Sequence, residues 1–330
     1  MTNEIEPRGM APELQAAKEL AAALERSIGQ AFLGQDAVVE QVLVTLLAGG
    51  HALLEGVPGL GKTLLVRALA KSFGGSFARV QFTPDLMPTD VTGHTVYDMA
   101  SGEFRVRKGP VFTQLFLADE VNRAPAKTQA ALLEVMQERQ ITLEGDPYAL
   151  QPPFAVFATQ NPIEQEGTYP LPEAQLDRFL LHISIASPDE DAELAIVRHV
   201  TDGVSGVGLP LDKIDAVVSA EQIVAAQHAV AKVRVDEEIA RYGVRIARAS
   251  RNARGLARGA GPRGGIALVR AARARAIIHG RDFAVPEDIK SLACAVLRHR
   301  VTVAPELAFE GAAVDRVLLD LLAEVEAPRA

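Results

Sequence analysis

Cysteine is nearly absent. Cys294 stands alone in 330 residues, which excludes a disulfide within the chain and, with no His/Cys cluster around it, argues against a structural zinc site. A small buried thiol is the reading that remains. Also missing is any stretch near the ~18 uninterrupted apolar residues that a membrane span requires. The first twenty residues carry no apolar signal core, so neither signal peptide nor anchor is expected, and a cytoplasmic location follows. Positive charge is not in excess: the net charge of −8 lends no support to nucleic-acid binding. Internal repeats and low-complexity tracts are absent as well. What the chain does have is 48% hydrophobic residues, enough for a sizeable core and about two domains.

Residues 56–63 read Gly56-Val57-Pro58-Gly59-Leu60-Gly61-Lys62-Thr63, a complete G-x-x-x-x-G-K-[ST] phosphate loop. It lies between the apolar run Ala52-Leu53-Leu54 and a helix-like run from Leu64, the strand-then-helix setting that distinguishes it from a chance glycine turn. The glycines let successive N–H groups face phosphate oxygens, and the following helix N-terminus adds its positive dipole end. Lys62 is suited to pair with β- and γ-phosphates and Thr63 to offer its hydroxyl to Mg²⁺.

Short apolar strands (52–55, 77–82, 115–120, 154–159) alternate with helical spacing at 37–48, 64–73 and 127–139, behind a lead-in helix at 11–28. Two hairpin signatures, 94–107 and 140–150, interrupt the alternation. The pattern predicts an α/β domain with a doubly wound parallel sheet over residues 1–188. A polar, glycine-containing stretch at 189–210 reads as a linker. Residues 211–330, with helical segments at about 220–232, 236–253, 264–280, 286–299 and 312–325, read as a smaller all-α domain.

Leu115–Ala118 ends in Asp119-Glu120. Parallel strands present their C-terminal ends at one edge, so these acids can stand beside the phosphate loop, Asp119 to hold Mg²⁺ through water and Glu120 to polarise an attacking water as general base. Solvated loop acids are the bland alternative. Asn161 closes the next apolar strand, where a neutral amide can orient water without adding charge; a turn-forming Asn before Pro162 would look the same. Arg178, in Leu176-Asp177-Arg178-Phe179, is of the type that stabilises charge on a transferring phosphoryl group, or it pairs with Asp177 or Glu173. Arg263, in Gly261-Pro262-Arg263-Gly264-Gly265, is a second candidate phosphate contact or an ordinary surface arginine. Residues 234–281 hold twelve arginines. Arg241, Arg245 and Arg248 share a helical spacing, so a solvated or subunit-facing stripe is favoured over nucleic-acid binding, for which Tyr242 is the only aromatic in the stretch.

This ordered set resembles AAA+ ATPases, and specifically the MoxR group, over about residues 15–325. Its most specific strings are Leu117 through Glu134 and Ala158 through Phe179. The resemblance implies that Lys62 and Thr63 belong to Walker A, Asp119 and Glu120 to Walker B, that Asn161 is sensor 1, Arg178 an arginine finger acting on a neighbouring subunit and Arg263 sensor 2. The hairpins would be a helix-2 insert and a pre-sensor-1 hairpin, and Gln35 falls where AAA+ proteins commonly contact adenine. Gly264-Gly265 stand where relatives commonly carry Ala and Ser, which implies a looser helix start. The family further implies ATP and Mg²⁺ as cofactors, a ring usually of six subunits, and von Willebrand factor A domain proteins as partners for remodelling or activation. The related ATPase subunit of magnesium chelatase, a nucleotide-gated, non-hydrolysing scaffold and a DNA translocase are the other readings; Glu120 speaks against the scaffold and the charge balance against the translocase.

Overall fold

The four runs become strands because each is short and bounded by turn residues; Ala52–Glu55, Leu115–Asp119 and Ala155–Gln160 are apolar on both faces, whereas Phe77–Gln81 turns Arg79 and Gln81 to one side. The computed structural model describes residues 10–161, 169–201, 211, 214–309 and 313–328. Along the chain run α1 (Pro12–Gly29), α2 (Asp36–Leu47), β1 (Ala52–Glu55), α3 (Lys62–Ser72), β2 (Phe77–Gln81) and α4 (Pro88–Thr92). The hairpin β3 (Gly93–Asp98) and β4 (Glu103–Lys108) follows, then β5 (Leu115–Asp119), α5 (Ala126–Glu138), the hairpin β6 (Gln140–Leu143) and β7 (Asp146–Ala149), β8 (Ala155–Gln160), α6 (Glu173–Leu176) and β9 (Leu181–Ser184). Next come α7 (Glu190–Thr201), α8 (Ala220–Ala231), α9 (Glu237–Ala249), β10 (Leu256–Arg258), α10 (Pro262–Ile278), α11 (Pro286–Leu297), β11 (Thr302–Val303), α12 (Pro305–Phe309) and α13 (Val314–Glu324).

The main sheet has the order β2-β5-β8-β1-β9, every pair parallel. Alternate side chains enter two separate cores, as the pleat requires. Leu54, Leu117 and Phe157 join α1, α2, α3 and the C-terminal helices on one face, while Leu53, Phe116 and Val156 join α5 on the other. Each fully buried Leu or Phe contributes about 1.5–3 kcal/mol, so both faces hold the sheet firmly. The first cluster runs without a break from Leu24 and Leu43 into Leu268, Ala271 and Leu292, so the helical lid shares its core with the sheet domain.

The structure differs from the expectation at several points. The stretch 189–210 is helical over Glu190–Thr201; residues 202–210, and 212–213 beyond them, lie outside the described residues, as does Pro162–Thr168 of the second family string. Helix α7 buries no residue fully, and its apolar residues Leu194, Val197 and Val200, though helically spaced, stand exposed; its acids occupy the first turn and Arg198 and His199 the last, as the helix dipole favours. Strand β9 was not anticipated because His182 interrupts its apolar run. The lid is helical, as expected, with one small antiparallel pair, β10 and β11, added to it. Helix α10 also starts firmly at Pro262: Gly264 and Gly265 are buried, and a Cβ on Gly264 would come within 3.0 Å of Ala260 Cβ, so the glycine permits close packing. Cys294 is only half-buried, packed at the edge of the core.

Candidate active site

Parallel pairing brings the C-terminal ends of β1, β8 and β5 to one edge, with β8 in the middle. The phosphate loop leaves β1 there and enters α3 at Lys62. Gly59 and Gly61 take left-handed φ values of 90° and 79°, which a side chain would strain. A Cβ on Gly56 would lie 2.7 Å from the carbonyl oxygen of Ile185. The Lys62 ammonium donates to the carbonyls of Gly56 and, at 3.3 Å, Val57. Partial burial lowers its pKa, against the pull of Asp119, Glu120 and Glu55. Thr63 sits in the first turn of α3.

Asp119 ends β5 at 7% exposure and Asn161 follows β8 at 5%. Thr159 donates its hydroxyl to Asp119 Oδ1 at 2.6 Å and accepts the Glu120 N–H at 2.8 Å, tying the two strand ends together. Glu120 itself has φ 55°, a left-handed conformation uncommon outside glycine, and this bends its carboxylate out of the strand direction. Its Oε2 accepts from Gln81 at 2.7 Å and pairs with Arg123 at 3.0 Å. Gln35 lines a cavity of about 230 Å³ with Phe32, Gly59, Gly61 and, from α7, Glu193 and Ile196.

Arg178 and Arg263 are elsewhere. Arg178 precedes β9, whose start lies beside the start of β1, as the Leu180 N–H to His51 carbonyl bond of 2.8 Å shows. That is the opposite edge of the sheet from the phosphate loop. There a cavity of about 360 Å³ is lined by Arg139, Arg178, Arg263, Arg270 and Arg300, with Asp177 as its acid. Arg178 accepts neither partner the sequence offered; its Nε donates to Gln137 at 3.1 Å. Asp177 instead engages Arg300 at 2.7 Å and Arg263 at 3.5 Å.

Known proteins share this plan. Residues 51–181 match the ATPase family associated with various cellular activities (AAA), and residues 248–320 match the AAA lid domain. The chain is 44% identical to chaperone MoxR1 of Mycobacterium tuberculosis over 292 residues, 85% of this chain and 76% of that one. It is 37% identical to protein MoxR of Methylorubrum extorquens over 308 residues, 87% and 89% of the two chains. The chain belongs to the MoxR family of AAA+ ATPases. A crystal structure of a candidate ATPase from Cytophaga hutchinsonii superposes with a TM-score of 0.87 at 39% identity, covering 96% of this chain and 97% of that one.

In this MoxR-family chain the lid arginines fasten the lid to the sheet domain. Arg300, 4% exposed, donates from Nε to Asp177 Oδ1 at 2.7 Å, from Nη2 to the Phe179 carbonyl at 2.6 Å and from Nη1 to those of Leu180 (3.2 Å) and Val296. It thus fixes the backbone on both sides of Arg178. Arg298 donates to the His182 carbonyl, Arg270 to that of Ala48, and Arg275 bridges Asp288 and Glu40 of α2. His51 accepts the Val156 N–H on Nδ1 and donates from Nε2 to the Met136 carbonyl; burial lowers its pKa to about 4. His182 lies 2.8 Å from Glu55, and that hydrogen bond lowers the Glu55 pKa. Sequence reasoning missed Arg79, Gln81, Thr159, Phe32 and Arg300. A faint signal existed for the first two: polar residues at 79 and 81 share one face at the end of β2.

Proposed function

We propose that this chain hydrolyses ATP with Mg²⁺ at boundaries between copies of itself in a six-membered cytoplasmic ring, and that the cycle remodels, matures or activates partner proteins of the von Willebrand factor A class. The observation that carries this reading is the division of the candidate groups between opposite sheet edges. Lys62, Asp119, Glu120 and Asn161 meet at one edge, Arg178 and Arg263 at the other, so a nucleotide on one copy can be completed only by the far edge of the next. In its own site, the N–H groups of Gly56–Thr63 and Lys62 would cradle the phosphates, Glu120 would take the proton of the attacking water, Asn161 would orient that water, and Gln35 with Phe32 would border the base. Arg178 and Arg263 would meet charge on the neighbour's γ-phosphate.

The donor set fits Mg²⁺. Among the described residues no group of three or more His, Cys, Asp or Glu could hold a metal alone. One hydroxyl (Thr63) and one carboxylate (Asp119, through water), with phosphates completing the sphere, are the sparse ligands that Mg²⁺ takes. Bound with nucleotide, the ion would offset charge on the phosphates. The name of the M. tuberculosis relative, a chaperone, supports action on protein.

Mixing tests the boundary mechanism. Arg178→Ala keeps the phosphate loop and Lys62→Ala keeps the arginine, so each alone is expected to be nearly inactive. Co-assembled, they are expected to recover part of the turnover where a good loop meets a good arginine. Mixed rings that form yet recover nothing at any ratio would refute the reading.

A further inference from the structure

Both carboxylate oxygens of Asp119 are engaged by this chain's own side chains. Oδ1 accepts from the neutral Thr159 hydroxyl at 2.6 Å, while Oδ2 accepts two N–H groups from Arg79, Nε at 2.9 Å and Nη2 at 2.6 Å. Arg79 comes from β2, paired to β5 so that it stands level with Leu117, two residues short of Asp119. Lys62 does not share in this, since its ammonium donates to the carbonyls of Gly56 and Val57. The cation hydrogen-bonded to Asp119 is therefore Arg79, with the Lys62 ammonium acting only through space.

We propose that Arg79 is a stand-in cation: it holds Oδ2 of Asp119 until a divalent ion arrives with nucleotide, and the ion must displace it. The proposal rests on the reading of Asp119 as a group that serves Mg²⁺. Three features distinguish a displaceable cation from a permanent brace. The Arg79 side chain is 47% exposed, so water can replace its bonds to Asp119 and to the exposed Gln81 Oε1 (3.1 Å) at little cost. Its two N–H groups converge on one oxygen rather than forking across both, which forgoes the stronger two-point geometry. Mg²⁺ carries twice its charge and would present a bound water to the same carboxylate, so that water and the guanidinium compete for one acceptor. Arg300 shows the contrast: almost wholly buried, with bonds to Asp177 and three carbonyls, it has nowhere to go.

The test is equilibrium binding of the non-hydrolysed fluorescent nucleotide mant-AMP-PNP to the full chain, in EDTA and across a Mg²⁺ titration, for wild type, Arg79→Met and Arg79→Lys. Removing the competitor is expected to lower the Mg²⁺ concentration for half-saturation roughly two- to fivefold, the worth of a half-exposed ion pair. Affinity in EDTA is expected to stay within about twofold, and Arg79→Lys, which keeps the charge, to stay near wild type. Mn²⁺ binding followed by electron paramagnetic resonance is expected to tighten in parallel. A raised Mg²⁺ requirement in Arg79→Met would mean that Arg79 props the carboxylate into place, and an unchanged one that it is a bystander; either overturns the proposal. Circular dichroism identical to wild type checks that the variant folds. If Lys62→Ala binds mant-AMP-PNP as well as wild type does, the nucleotide-site reading itself fails, a result separate from any Arg79 effect.

Discussion

Arg300→Met separates stability from catalysis at the far edge of the sheet. The wild-type guanidinium is nearly buried and directs charge-assisted bonds at Asp177 and at the carbonyls of Phe179, Leu180 and Val296. Methionine fills much of the volume but supplies none of those donors, so it leaves a carboxylate and several carbonyls short of partners. Arg263, at 3.5 Å and well exposed, compensates Asp177 only weakly. Breaking a buried pair in this way costs about 3–5 kcal/mol, a large part of a typical stability of about 5–15 kcal/mol. Arg178→Ala, which removes one exposed bond to Gln137, is expected to change stability by less than about 0.5 kcal/mol while reducing turnover roughly 10³–10⁵-fold. Urea unfolding followed by circular dichroism, paired with phosphate release, reads both quantities. If Arg300→Met unfolds within 1 kcal/mol of wild type, Asp177 and its carbonyls have other support and the role assigned to Arg300 is wrong.

Three further outcomes are expected. Buried neutral His51, with its pKa lowered to about 4 from 6.5, leaves the unfolded chain holding more protons between those values, so stability is full above pH 6.5 and falls on acidification by about 1.4 kcal/mol per unit toward pH 4; His299, also lowered by burial, adds in the same direction. A flat denaturation profile between pH 7.5 and 5 would contradict this, and His51→Leu is expected to shallow the slope. Gly56→Ala puts a methyl 2.7 Å from the Ile185 carbonyl; an overpacking cost of about 1–3 kcal/mol, drawn from nucleotide affinity, is roughly five- to hundredfold in a mant-nucleotide titration. Affinity within twofold of wild type would show that the loop adapts. DNA or RNA is expected not to stimulate turnover, because Arg251, Arg258, Arg270, Arg275 and Arg281 are already bonded within the chain; steep salt-dependent stimulation would say otherwise.

Legibility followed sequence distance. The phosphate loop, the apolar strands and the acids at the end of β5 were readable because each is a local pattern of glycines, apolar runs and strand ends. The paired edge was readable by topology once the strands were taken as parallel. Arg79 and Arg300 were not, since their partners lie 40 and 123 positions away and neither neighbourhood announces a pairing. Helix α7 hid for a different reason: its helically spaced Leu194, Val197 and Val200 lie among acids beside a polar, glycine-containing stretch and find no core to join, although Glu193 and Ile196 reach the cavity beside Gly61. Arg241, Arg245 and Arg248, expected as a solvated or subunit-facing stripe, do stand exposed on α9, whereas the lid arginines bonded to the sheet domain were not distinguishable from them, because spacing along a helix shows which residues share a face but not what stands opposite.

The unbroken apolar cluster from α1 and α2 into α10 and α11, pinned by Arg270, Arg275, Arg298 and Arg300, has a mechanical consequence. Swinging the lid away from its own sheet would tear a continuous core and strand several guanidinium groups at once, so the described part of each chain behaves as a single stiff block. In an assembly of such blocks the compliant places are the seams, and a nucleotide wedged there acts on the angle between neighbours rather than on the shape of either one.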